Sequence, residues 1–206
     1  MSYSAFTNTK VTTRLAGDLQ ARTVVGMNSS QQGTLIVMVG LPACGKTTFA
    51  RRLQDERGAL RLTPDEWMKP LFDDSEADGM RDVLEGRFVW LALEALRAGV
   101  DVVLDFGVWS RDERSALRAL AADAGSQSEL VYLAVTIDEQ LDRIRDRNEL
   151  DPSKSIDISE SDLRHFATFF EEPDNDELEG ATIPDPPLGS SSWRDWASER
   201  WPTSSG

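Results

Sequence analysis

Cations are the scarcer charge in this 206-residue chain: 22 Lys and Arg stand against 36 Asp and Glu, a net charge of −14 at pH 7. Broad, charge-driven binding to nucleic acid or to an anionic membrane is disfavoured, because both need clustered positive charge. A local basic pocket is still compatible with that balance. The one cysteine, Cys44, excludes an internal disulfide and fits a reducing compartment. The one histidine, His165, stands beside Phe166 with no partner at metal-ligand or triad spacing, and reads as structural. No apolar run is long enough to span a bilayer, and no signal-peptide pattern opens the chain. Two phosphate-loop signatures are missing as well: the N-K-x-D base-recognition motif of GTPases and the L-S-G-G-Q signature of cassette transporters. The expectation is a cytoplasmic protein with one sizeable core.

What the chain does have is Leu35 to Phe49, LIVMVGLPACGKTTF. Five apolar residues run into Gly40, Leu41, Pro42, Ala43, Cys44, Gly45, Lys46 and Thr47, followed by Thr48, which fits the phosphate-loop pattern G-x-x-x-x-G-K-T/S. Gly40 and Gly45 allow the backbone to curl so that successive N–H groups face phosphate oxygens. Lys46 is expected on the β- and γ-phosphates, and the Thr47 hydroxyl on Mg²⁺. The positive end of the following helix faces the same anion. The preceding apolar run reads as a parallel strand buried on both faces. ATP and Mg²⁺ are therefore the expected cofactors. Cys44 lies near a helix start and Lys46, where thiol reactivity is conceivable; its simpler reading is a small filler.

Strand and helix patterns alternate beyond the loop, as in an α/β parallel sheet. The organisation reads as a flexible N-terminal arm over 1–33, one domain over 34–184, and a Pro/Ser/Trp-containing tail over 185–206. Met27 is a candidate natural start. Residues 59–63 and 130–135 read as strands, and 181–183 as a last short one. Thr63, Pro64 and Glu66 predict the start of a helix, with Thr63 capping and Pro64 in the first position. Ser110 with Glu113 predicts a second capped start, and Ser159 with Asp162 a third. Trp193, Trp196 and Trp201 make the tail either an amphipathic docking segment or a disordered remnant.

In such sheets ligands sit at the carboxyl ends of the strands. Asp65 follows the second expected strand and Asp105 ends the third. Phosphoryl transfer needs a carboxylate for the acceptor, metal organisation and positive charge closing over the transferred group. Asp65 suits the first role. Asp105 is placed to meet Mg²⁺, its water or the substrate. Arg143 and Arg147, four residues apart, share one helix face and suit a lid, with Arg147 preferred; Arg145 lies roughly opposite. Trp67, Trp109 and Arg111 are candidate acceptor contacts, the aromatics by stacking and the arginine by binding an anion. Both tryptophans equally suit core packing. Arg114 equally suits a surface position paired with a neighbouring acid.

These residues carry a resemblance. The chain resembles the phosphate-loop kinase families that include zeta-toxin, chloramphenicol phosphotransferase and the 5′-hydroxyl polynucleotide kinase domain. It is most similar to the AAA-type ATP-binding family of small kinases. The motifs are G-x-P-x-x-G-K-T-T at Gly40 to Thr48, T-x-D at Thr63 to Asp65, D-x-G at Asp105 to Gly107, and W-S-R-x-x-R at Trp109 to Arg114. A lid helix carrying arginines, 143–148, completes the set. The resemblance spans about residues 34–184 and implies a three-layer fold with a parallel five-stranded sheet of order 2-3-1-4-5 and a helical lid. It also implies that Asp65 activates the acceptor. In polynucleotide kinase-like members a second lid arginine follows the R-N pair; here Arg147-Asn148 is followed by Glu149-Leu150-Asp151. That departure and the acidic charge point to a small hydroxyl-bearing acceptor. A nucleotide-sensing module without an acceptor, or a 5′-hydroxyl nucleic-acid kinase, stays open as an alternative.

Overall fold

The computed structural model describes residues 32–73, 77–150 and 158–205. The expected arm up to residue 31, Met27 with it, and most of the expected loop between 150 and 158 lie outside the described residues.

The chain opens on β1 (Thr34–Val39), whose apolar residues are all buried. α1 (Lys46–Arg57) starts from Gly45 and stops at Gly58, both in the left-handed region that a residue with a Cβ avoids. β2 (Leu60–Leu62) leads into α2 (Pro64–Phe72), and α3 (Met80–Arg97) into β3 (Val102–Leu104). α4 (Arg111–Asp123) begins with the expected capping box, Ser110 and Glu113 each accepting from the other's backbone N–H. β4 (Gln127–Tyr132) is followed by α5 (Ile137–Leu150), α6 (Glu160–Ala167), α7 (Asn175–Leu178) and α8 (Trp193–Arg200). Ser159 and Asp162 form the capping box of α6.

The strands are parallel in the order β2-β3-β1-β4. Alternate residues of β1 feed two layers: Leu35, Val37 and Val39 face the larger core with α3, α4 and α8, while Ile36 and Met38 face Ala50 and Leu53 of α1. This is the expected three-layer α/β arrangement, with one strand fewer among the described residues. Residues 181–183 form no ladder. Instead Ile183 packs against the core and the Ala181 carbonyl accepts from Arg118. β4 lies three residues earlier than expected, pairing Gln127 with Thr34 and Tyr132 with Val39. As an edge strand it carries polar residues outward, so an apolar run marks only its second half. At α2, Thr63 occupies the N-cap position without a side-chain cap bond, and the Glu66 carboxylate is held by Arg51 and Arg61 rather than turned back to the helix start.

The C-terminal segment is a docked helix. Trp193, Ala197 and Trp201 of α8 and its cap are buried in the larger core. Trp193 donates to the Pro184 carbonyl at 2.8 Å, and Thr203 to the Val83 carbonyl at 2.9 Å. Gly86 on α3 is the seat for this contact: a Cβ there would stand 1.9 Å from the Pro202 carbonyl oxygen. Alanine would gain about 1 kcal/mol in helix propensity, but the backbone clash is the larger effect, at about 1–3 kcal/mol or more. Gly86→Ala is therefore expected to lower the urea midpoint and expose the segment after residue 185 to protease; an unchanged or raised midpoint would contradict this packing.

Candidate active site

The loop between β1 and α1 is built by three residues with positive φ: Gly40 at 144°, Ala43 at 60° and Gly45 at 104°. A Cβ on Gly40 would meet the Cys44 sulfur at 2.7 Å, so the buried thiol fills the space this glycine leaves. The Lys46 ammonium donates to the Gly40 and Leu41 carbonyls at 2.7 and 2.8 Å, and lies 3.7 Å from the Cys44 sulfur. Pro42 and Thr47 flank this curl half-buried, and Thr48 is exposed.

Asp105 follows β3 directly. Val37 pairs with Leu104, so the strand ends reach the same edge. The Thr47 hydroxyl donates to Asp105 Oδ1 at 3.3 Å, and Arg61 Nη1 donates to Oδ2 at 3.1 Å. Burial pushes the Asp105 carboxyl up, while the Thr47 hydroxyl and the Arg61 charge draw it back. Arg61 also holds both Glu66 oxygens at 2.7 Å and Gln54 at 3.0 Å. Hydrogen bonds from Arg51, then Arg61, keep the Glu66 carboxyl below the usual range. Arg61 was not among the expected site residues. Its signal is an arginine between two leucines of a short strand, and its side chain is only 8% exposed.

Asp65 lies in the first turn of α2, its side chain 71% exposed and paired with Arg81 at 2.8 Å. Arg81 continues to Glu85 at 3.3 Å, and Glu85 lies 4.0 Å from Arg200 of α8. Arg200 in turn bonds Glu113 at 2.7 Å and Asp82 at 2.9 Å. The other Glu113 oxygen accepts from the backbone N–H groups of Trp109 and Ser110. A continuous charged chain thus runs from Asp65 to the backbone at Trp109.

Trp67 is exposed and meets Phe88 edge-on at 5.3 Å. Trp109 is half-buried against Phe166, ring centres 5.4 Å apart. Arg111 is exposed, pairs with Asp174 at 3.2 Å, and lines a cleft of about 370 Å³ with Asp112, Glu171 and Glu172. Arg114 is not a surface residue: it is fully buried, and its fork grips both oxygens of Glu177 at 2.5 and 3.1 Å. The partner lies 63 residues away, so spacing gave no sign of it.

Of the two arginines expected in a lid, Arg143 reaches the loop, Nη1 donating to the Cys44 carbonyl at 2.8 Å. Arg147 is exposed one turn further along α5, and Arg145 pairs with Asp142 on the other side at 2.9 Å. His165 packs edge-on against Phe169 at 4.9 Å.

A family model described as an AAA domain matches residues 35–173. A search of the curated proteins returns no match. Among solved structures, a chain of the Pnkp1/Rnl/Hen1 RNA repair complex matches with a TM-score of 0.57 and 19% identity over 68% of this chain. That match spans 45% of the other chain, less than half its length. A protein from Chloroflexus aurantiacus named as a candidate kinase gives 0.53 and 22%, covering 78% of this chain and 85% of its own. The protein APE1195 gives 0.52 and 19%, covering 84% and 96%. At these identities the likeness is one of fold.

The charged chain makes stability depend on pH. Burial pushes the Glu85 carboxyl from 4.5 to about 7, against the charges of Arg81 and Arg200. An acid whose folded value lies above its unfolded one favours the fold while protonated. That contribution is complete below pH 4.5 and is lost as pH rises to about 7. The loss is on the order of 3 kcal/mol. Glu85→Gln is expected to lack it, so the native chain should lose unfolding free energy relative to this variant between pH 4.5 and 8. Parallel profiles would refute the assignment.

Proposed function

Given that the chain belongs to the AAA domain family, we propose that it is an ATP-dependent kinase that transfers the γ-phosphoryl group to a hydroxyl of a small molecule. The observation that carries this is the meeting of Thr47 and Asp105 at 3.3 Å beside Lys46. It joins a phosphate loop to a buried acid at the strand edge, where transfer needs charge neutralised and a metal held. The donors are hard oxygens, a hydroxyl and a carboxylate, and that set suits Mg²⁺. Thr47 and Asp105 would hold it. When bound, Mg²⁺ supplies charge neutralisation across the β- and γ-phosphates of ATP.

Each remaining role belongs to a residue of this chain. The backbone from Gly40 to Thr48 cradles the phosphates, and Lys46 exchanges its loop carbonyls for phosphate oxygens. Asp65, oriented by Arg81, accepts the proton of the acceptor hydroxyl. Arg143, already against the loop, and Arg147, one turn on, bring positive charge over the transferred group. Trp67, Trp109 and Arg111 contact the acceptor.

A second reading, a 5′-hydroxyl nucleic-acid kinase, is supported by the fold likeness to a chain of an RNA repair complex. The net charge of −14 and the acid-rich cleft beside Arg111 favour the small acceptor. A sensor that binds nucleotide without an acceptor would use the same loop.

Incubation with γ-labelled ATP, a metabolite extract and 5′-hydroxyl oligonucleotides, followed by mass spectrometry of labelled products, separates the three. A labelled small molecule supports the proposal; a labelled oligonucleotide end, or turnover without any product, replaces it. With the product in hand, Asp65→Asn should bind ATP as before and lose about 10²–10⁴ in transfer rate. Unchanged transfer would remove Asp65 from the mechanism.

A further inference from the structure

α4 buries two arginines one turn apart, Arg114 and Arg118, and they share one helix face. One carboxylate, Glu177, is buried with them, and both its oxygens are gripped by Arg114. Arg118 is 6% exposed, and among the described residues its hydrogen-bond partner is a neutral carbonyl, that of Ala181. The local account is therefore two buried cations to one buried anion. A guanidinium withdrawn from water without an anion is costly. Burial accordingly pushes the Arg118 pKa down, with the Glu177 charge opposing it and Arg111 adding to it.

Arg118 lines an open cleft of about 410 Å³ with Ser126, Gln127, Ser128, Thr182 and neighbouring backbone. Ser126 is 8% exposed, and its hydroxyl has no hydrogen-bond partner among the described residues. Buried hydroxyls are normally satisfied, so an orphan in a cleft wall marks a missing partner. The two unmet needs are complementary. A planar guanidinium takes a carboxylate or phosphate through two parallel bonds, and a serine hydroxyl supplies a further donor.

We propose that the cleft between the end of α4, the start of β4 and residues 180–183 is a binding site for a small oxyanion, a carboxylate or a phosphate group, held by Arg118 and Ser126. It is not a second view of the nucleotide site. Gln127 in the cleft pairs with Thr34 at the start of β1, and the phosphate loop begins after Val39, which pairs with Tyr132. The intervening strand spans roughly 16 Å. α4 joins the two ends, running from Ser110 beside the candidate acceptor contacts to the cleft. The failure of a fifth strand to form at 181–183 is what leaves this space beside β4.

The test uses the full chain saturated with the β,γ-imido analogue of ATP and Mg²⁺, so that added phosphate is kept from the loop. Inorganic phosphate and succinate are titrated separately by calorimetry. Saturable 1:1 binding of either is expected, and the anion that binds identifies the class. Arg118→Gln should weaken it about tenfold or more, as loss of a charge-assisted fork implies. Ser126→Ala should weaken it several-fold while leaving affinity for the ATP analogue unchanged. If Arg118→Gln does not fold, the serine variant carries the test. Absence of saturable binding for both anions would overturn the site, as would affinities indifferent to these substitutions.

Discussion

The parallel pairing of β1 with β3 is the constraint on which the candidate site depends. Both strands are buried on both faces, and a one-residue slip would send every side chain to the other layer. The observed register sets Val37 against Leu104 and Leu35 against Val102. Given that register, the residue after β3 must emerge at the edge where the phosphate loop begins. Asp105 meets Thr47 because this register brings the end of β3 to the edge where the phosphate loop begins.

A second level of order comes from buried charge. Arg61 ties Asp105 to Glu66 and so fastens the start of α2 to the end of β3. Removing one partner of such a buried pair typically costs about 3–5 kcal/mol, because the other is left desolvated and unpaired. Replacing the whole set by apolar residues is often neutral. These ions therefore act less as a net source of stability than as a means of holding α2, and Asp65 on it, in one position relative to the strand edge that carries Asp105.

The phosphate loop was legible because its determinants are local. Gly40, Gly45, Lys46 and Thr47 sit within eight residues, the apolar run before them has the length of a strand, and Gly58 stops the helix after them. The capping boxes at Ser110 and Ser159 were readable for the same reason: a cap and its third helical residue are neighbours in the chain. The fifth strand was misread because Ala181 to Ile183 has strand-like composition, yet its backbone is drawn aside by Arg118. Arg114 and Arg61 were misread or missed because each is satisfied by residues far off, and an arginine in isolation reads as surface.

The surroundings of Asp65 belong wholly to that second kind. Asp65, Arg81, Glu85, Arg200 and Glu113 come from α2, α3, α8 and α4, and no short window contains even half of them. Trp201 and Trp193 bury α8 in the core and so deliver Arg200 to Glu113, whose other oxygen secures the backbone at Trp109 and Ser110. The C-terminal helix thus stands to Asp65 as β3 stands to the phosphate loop: each sets geometry through residues distant in the chain. The phosphate loop itself is built between β1 and α1. The charged chain from Asp65 to the backbone at Trp109 forms only when α2, α3, α4 and α8 are folded together.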